Sequence, residues 1–370
     1  MGAKILCFVL LVATLSTAGC TGLSQDINKS LLITSVLIDV ANEGELKIYL
    51  EGFRPQRSSS KEKKEDRVIF IIKGKTVAEV IDSLNTITSN KPNFSHNKVI
   101  LFSKHAAELG LARYIDLFSR DQEHLLRSYV AVFDGQPEDL FKAKLPGDLF
   151  LGLHLYDLFR YYNLKSGKLM EVRMNDIFNS RYEASQTSVL PIVTLTKQVE
   201  QLPGISGAAV LRDLKLVAVI SDQEVPYYNI FQDNSQLSIY TIDNPMYPDS
   251  YVSLRTVNSN INTKLTYNGT DIVLTKKVEL TLTFREAQAG ILLTSEQREQ
   301  IKASLAQSLK AQWDGFFVKY QTLSVDLFNV EDMFRRKYPH EKVDNPLTKA
   351  VLDLTIEINI EGSGHYNAFN

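Results

Sequence analysis

The chain has 370 residues, 44% hydrophobic and 23% charged, ordinary values for a globular chain able to bury a real core. A formal net charge of -2 gives no basic footprint for nucleic acid. Only two cysteines are present, at positions 7 and 20, too few for a disulfide framework.

Lys4 gives a small positive start, Ile5 to Leu15 form a nearly unbroken apolar run, and small residues then lead to Cys20. This is the layout of a secretory signal. About eleven apolar residues are too few for a hydrocarbon core that needs roughly twenty. The run Leu15-Ser16-Thr17-Ala18-Gly19-Cys20 is similar to a bacterial lipobox, with Thr17 where leucine is commonest. On that likeness, residues 1–19 are removed with Cys7, and Cys20 becomes a lipidated N-terminus carrying a diacylglyceryl group. Two acyl chains anchor stably where one holds only marginally. An ordinary cleaved signal with an incidental cysteine is the alternative. No later segment approaches twenty apolar residues, so residues 21–370 are expected to be soluble.

Leu31 to Val40 and Leu46 to Phe53 read as paired strands, followed by a charge-dense loop over 58–67 whose charges nearly cancel. A strand over 67–73 precedes a helix capped by Thr76 and Glu79, with Val77, Val80, Ile81, Leu84 and Ile87 on its apolar face. Strands at Val99–Phe102 and Tyr129–Phe133 alternate with helices over Lys104–Phe118 and from Pro137. This order predicts helices layered on a mixed sheet. Two helical patterns follow over 148–185. One is rich in aromatics (Phe150, Tyr156, Phe159, Tyr161, Tyr162), which suits core, a domain contact or a ligand platform. Val189 to Leu195 returns as a strand.

Glu200-Gln201-Leu202-Pro203-Gly204 reads as a linker. Beyond it, hairpins are expected around Arg212-Asp213 and at Asn268-Gly269, the latter a type I′ signal. Val278 to Phe284 and Leu352 to Ile360 alternate apolar and polar residues, as in an antiparallel sheet with one wet face. Thr294 with Gln297 opens a long helix whose Ile301, Leu305, Leu309, Trp313, Phe316 and Tyr320 recur at helical spacing.

The fold class is therefore mixed α/β or α+β and multi-domain. A N-terminal mixed sheet with helices precedes a C-terminal antiparallel sheet covered by a long amphipathic helix. The expected divisions are a signal at 1–19, a lipidated terminus and linker at 20–30, and an α/β region at 31–199, divisible near 136–148. A linker at 200–206, an α+β domain at 207–361 and a flexible tail at 362–370 complete the chain.

Signals for catalysis are absent. There is no His-Glu-x-x-His, Cys-x-x-Cys, Gly-x-x-x-x-Gly-Lys or Gly-x-Ser-x-Gly, and the six histidines never fall three or four apart. Gly362-Ser363-Gly364-His365 lacks a following helix and reads as tail. Asp121, Glu123 and Arg127 suit either a site or a solvated connection. No catalytic residue, metal ligand or cofactor is assigned.

The order of these pieces resembles the C-subunit lipoproteins of bacterial spore germinant receptors, the Ger(x)C family. One block runs from Thr76-Val77-Ala78-Glu79-Val80 through His96-Asn97-Lys98-Val99-Ile100-Leu101 and Glu108-Leu109-Gly110 to Ser119-Arg120-Asp121-Gln122-Glu123, Arg127 and Gly135. A second is Gly207-Ala208-Ala209-Val210, Lys215-Leu216-Val217 and Asp222-Gln223-Glu224. A third joins Val325-Asp326-Leu327-Phe328 to Arg336-Lys337-Tyr338-Pro339. Departures are Thr21-Gly22-Leu23 in place of Trp and Asp after the cysteine, Asn329 in place of Gly, and no Trp soon after Pro339.

The resemblance implies a non-enzymatic subunit, lipid-anchored through Cys20 on the outer face of the spore inner membrane. It would act beside a multi-pass A subunit and a transporter-like B subunit in a complex that answers small nutrients and triggers germination. The resemblance supplies no ligand-contacting residue, so direct germinant binding stays open. An extracytoplasmic solute-binding lipoprotein of a transporter and a lipid-anchored wall hydrolase are the rival readings.

Overall fold

The computed structural model describes residues 2, 30–41, 44–55, 67–120, 125–145, 147, 150–161, 167, 170–196, 201–233, 238–288 and 294–361. The predicted 58–66 charge run, the 121–123 segment and the 362–370 tail lie outside them, as does the signal apart from Gly2.

The first sheet grows around β1 (Ser30–Val40), whose β-branched and leucine-rich run is buried on both faces, as a central strand requires. The β2 (Leu46–Phe53) and β3 (Arg67–Gly74) strands extend it antiparallel on one side. Helix α1 (Val77–Ile87) starts where the Thr76 hydroxyl accepts from the Glu79 amide at 3.1 Å. The Glu79 carboxylate accepts from the Lys75 amide, so the cap closes one residue earlier than a standard box. Val77, Val80 and Leu84 are buried as predicted, but Ile87 is 60% exposed because the helix ends there.

Short β4 (Lys91–Asn93) pairs with the head of β1, and β5 (Val99–Ser103) with its body. Helices α2 (Lys104–Leu109) and α3 (Ala112–Arg120) lead to β6 (Tyr129–Phe133), then α4 (Pro137–Lys142), α5 (Leu151–Tyr161), α6 (Met174–Ser180) and β7 (Thr187–Leu195). The β1–β5, β5–β6 and β6–β7 pairs are parallel, each joined through helices as parallel pairing demands. One core packs around α1, α2, α3 and α6, and another against α4 and α5.

The sheet does not stop at the predicted linker. Pro203 and Gly204 open β8 (Pro203–Arg212), which pairs antiparallel with β7, and β9 (Lys215–Ile220) completes the order β3-β2-β1-β5-β6-β7-β8-β9. The hairpin assigned from sequence to the C-terminal domain therefore belongs to the N-terminal sheet. Its Ala208, Val210 and Ile220 nevertheless pack into the C-terminal core. A strand with two apolar faces serves both neighbours.

Helix α7 (Val225–Phe231) crosses to the second sheet, β10 (Ile239–Asp243), β11 (Tyr251–Tyr267), β12 (Ile272–Ala287) and β13 (Ala350–Ile360), in that order. The β10–β11 and β11–β12 pairs are antiparallel, but β12 and β13 run parallel from Ile272↔Ala350 to Leu282↔Ile360. The wholly antiparallel sheet expected from sequence is thus corrected. Alternation reports a wet face, not strand direction, and the intervening α8 (Ser295–Thr322), α9 (Val330–Lys337) and α10 (Pro346–Lys349) form the crossover. The 268–271 turn carries positive φ only at Gly269, +97°, so it is not type I′; the Asn268 side chain accepts from the Thr270 and Asp271 amides instead.

Helix α8 has the predicted capping box and buries all six predicted residues, Trp313 included, together with Phe317. It also shields the β13 edge. Arg298, Lys310 and Gln321 donate to the carbonyls of Ile360, Leu354 and Ala350. From 298 to 321 the helix rises about 35 Å, and from 360 to 350 the strand spans about 33 Å, so one element matches the other along its length. Satisfying those carbonyls removes a template for strand addition.

Candidate functional site

Cys20, the single residue given a role by sequence, lies outside the described residues. The first described strand begins at Ser30. Ten residues of chain reach at most about 35 Å. No described helix is long and apolar enough to cross a membrane.

The three sequence blocks are built into the packing. In the first, the Asn97 side chain donates through Nδ2 to Ser128 Oγ at 2.8 Å, while the Lys98 backbone amide donates to Thr34 O and its carbonyl accepts from the Tyr129 amide. These bonds lock β5 and β6 beside β1. Gly110, at φ +105°, ends α2 and lets the Leu111 amide reach Leu214 O at 2.8 Å. Arg120 pairs with Asp116 on the surface, and Arg127 is exposed. No cluster with Asp121 and Glu123 can be described.

In the second block, Gly207 has φ +75°, and a Cβ there would stand 2.6 Å from Ile220 O. Glu224 accepts from the Ser221 amide and hydroxyl and from Lys319 Nζ at 2.7 Å, tying the start of α7 to α8. Those bonds hold its carboxyl below its usual range against the opposing effect of burial.

In the third block, Asp326 caps α9. Its carboxylate accepts from the amides of Phe328, Val330 and Glu331, the shortest at 2.8 Å. Burial nevertheless pushes its pKa up. Phe328 packs against Phe231 and Phe317, each at 4.7 Å between centroids. The Tyr338 hydroxyl accepts from the Tyr267 amide at 2.9 Å, and its ring packs on Phe334 and Tyr267. Arg336, Lys337 and Pro339 are the exposed residues of this block.

The aromatic helix packs inward. Phe150 and Phe159 are buried, and Tyr156 and Phe159 each lie 5.5 Å from Tyr129. Tyr156 also receives Lys98 and Arg160 over its ring, at 5.4 and 5.7 Å. The side chains of Tyr161 and Tyr162 lie outside the described residues.

Three features carry no local sequence signal. Glu51 on β2 is fully buried and accepts from Thr34, Ser35, Arg67 and the Leu151 and Gly152 amides that open α5. Lys276 on β12 is also fully buried. Its ammonium donates to Phe231 O, Asp233 and Thr263, and burial lowers its pKa. The third feature is the seam between the sheets. There Asp332 accepts from the Ala184 amide at 3.1 Å, Arg335 reaches Tyr182 O, and Arg212 donates to Ser324 O at 2.9 Å. A cavity of about 260 Å³ lies along this seam, lined in part by Glu171, Asp176, Glu183 and Asp326. Burial, then the neighbouring Asp332 charge, raises the Glu183 pKa.

Among the described residues, no three His, Cys, Asp or Glu side chains gather in a way that could hold a metal ion. What the arrangement offers chemically is a pair of interlocked bodies with charged seams.

Comparison with known proteins gives a consistent answer. The family described as "Spore germination protein N-terminal domain" matches residues 24–195, and "Spore germination B3/ GerAC like, C-terminal" matches residues 206–364. Spore germination protein A3 of Bacillus subtilis (strain 168) is 28% identical over 218 residues, 58% of this chain. That match spans 56% of the relative, little more than half its length. Among solved structures, the crystal structure of the GerBC protein has a similar fold, with a TM-score of 0.57 and 15% identity over 88% of this chain and 97% of that one.

Proposed function

This chain belongs to the spore germination GerAC-like family, and from that premise we propose that it is the lipid-anchored C subunit of a nutrient germinant receptor. The observation that carries the reading is the pair of family matches, N-terminal over residues 24–195 and C-terminal over residues 206–364. In this reading Cys20 bears the lipid. The folded body stands on the outer face of the spore inner membrane, beside A and B subunits. It docks and signals rather than catalyses.

The structure supports a docking role by how it uses its polar groups. Glu51, Glu224, Asp326 and Asp332 hold elements to one another, which makes a stiff body. A tether then raises the effective concentration of that body near its partners, so a modest interface is well occupied. The solute-binding reading wants a cleft between two similar α/β lobes. Here the two sheets have nine and four strands and share a continuous core, so that reading has less support.

Cys20→Ala is expected to release the protein from spore inner membranes and to slow nutrient-triggered germination. Mass spectrometry of the mature terminus gives the direct check. A bare terminus on a freely secreted protein, or full germination by the released variant, would overturn the anchored-subunit reading.

A further inference from the structure

A second cavity, of about 540 Å³, opens between α9, the C-terminal end of β11 and the end of α7. It falls in the size range of small-molecule sites. One wall is apolar, from Phe231, Leu265, Phe328 and Met333, and the other carries Lys264, Arg336 and Lys337. Behind Phe231 lies the buried ammonium of Lys276, 5.5 Å from the ring centre and bonded to Asp233 and Thr263, which also line the cavity. Three cations thus line the cavity, and its one carboxylate, Asp233, is already paired with Lys276.

The fold accounts for only part of this charge. Lys337 donates to Leu265 O at 2.8 Å and so ties α9 to β11, and Lys276 holds the turn after α7. Arg336 donates through Nε to Asp332 O, one turn back in its own helix. Its other described electrostatic neighbour, Glu183, lies across the seam. Its two terminal nitrogens donate no hydrogen bond to the described residues, and Lys264 pairs with none of their acidic side chains. A guanidinium oriented by one nitrogen, with a free planar fork beside aromatic walls, matches a carboxylate attached to an apolar body.

We propose that this cavity binds a small carboxylate with a short branched aliphatic body. The carboxylate sits on the Arg336 fork with Lys264 close by, and the body lies against Phe328 and Met333. The proposal does not depend on the lipid anchor, and its test reads binding alone.

The full chain in detergent solution is titrated calorimetrically with 3-methylbutanoate, with its neutral analogue 3-methylbutan-1-ol, and with inorganic phosphate as an anion without a body. Saturable binding of the carboxylate is expected, with the alcohol and phosphate each at least tenfold weaker. Arg336→Ala should weaken carboxylate binding at least tenfold, and Arg336→Lys, which keeps the charge but loses the fork, should fall between. Arg336 is exposed, so these variants should keep the wild-type melting temperature, and the exposed Lys73→Ala on β3 serves as the control. Equal affinity of wild type and Arg336→Ala overturns the site, as does the absence of carboxylate binding. Phosphate binding as tightly as the carboxylate reduces the feature to an unselective cation cluster and overturns the proposal as well.

Discussion

Glu51 and Asp326 are both buried carboxylates that start a helix, yet they reach it by different routes. Asp326 serves α9 from four and five residues away and meets only backbone amides. Glu51 serves α5 from 100 residues away, and its two oxygens join β1, β2, β3 and the helix through hydroxyls, amides and the Arg67 guanidinium. The first is a local cap that a helix needs wherever it begins. The second is a tertiary lock, and its loss would strand several partners at once.

The largest test of that contrast is Glu51→Ala. Arg67 would lose its counter-charge while its Nη2 is already buried without a partner, and two amides would lose their acceptor. A loss of about 3–5 kcal/mol in denaturant unfolding is expected. A loss below about 1 kcal/mol would mean that water replaces the carboxylate and that the lock is not one.

Next comes Gly152→Ala. A Cβ at that position would stand 2.2 Å from Thr34 O, so α5 must move off β1. Overpacking of this kind costs about 1–3 kcal/mol. A neutral result in thermal melting would show that the helix can slide without disturbing Glu51.

Asp326→Asn should cost about 1 kcal/mol, the scale of a helix cap. Its pH dependence has a defined sign. Burial raises the folded-state pKa above the ordinary value near 3.8. The folded protein therefore holds this proton more tightly than the unfolded chain. The advantage of wild type over the variant should grow as pH falls through the folded pKa. Melting curves between pH 7 and 4 that move the other way would contradict the burial argument.

The smallest effect is expected at Glu138→Gln. Hydrogen bonds from Lys47 and Tyr49 hold the Glu138 carboxyl at about 2, below its ordinary 4.5. Here the stabilisation is present above about 4.5 and fades as pH falls towards 2. The carboxylate is 36% exposed, so solvent screening keeps the effect below about 1 kcal/mol. The two acid titrations thus run in opposite directions, and acid unfolding of both variants side by side measures the contrast.

Much of the fold was legible in short windows. The Thr294–Gln297 box, the buried stripe from Ile301 to Tyr320 and the alternation of Val278 to Phe284 follow from the helical and strand periods alone. Asp326 stood out in a recognisable block, although its capping role needed the structure. Glu51 and Lys276 could not be read, because each is a strand charge whose partners come from other segments. Arg336 appeared as part of a block, without any sign of the cavity beside it.

The order of elements, the wet and dry faces of strands and helices, and the family resemblance were determined by the sequence itself. Local backbone geometry repeats every 2 or 3.6 residues and leaves its period in the side chains. The tertiary structure alone decided that β13 joins β12 in parallel and that the 203–220 hairpin completes the first sheet. It also decided that a β2 carboxylate opens α5. Such choices among equally apolar partners depend on contacts closed over tens of residues, and no local period records them.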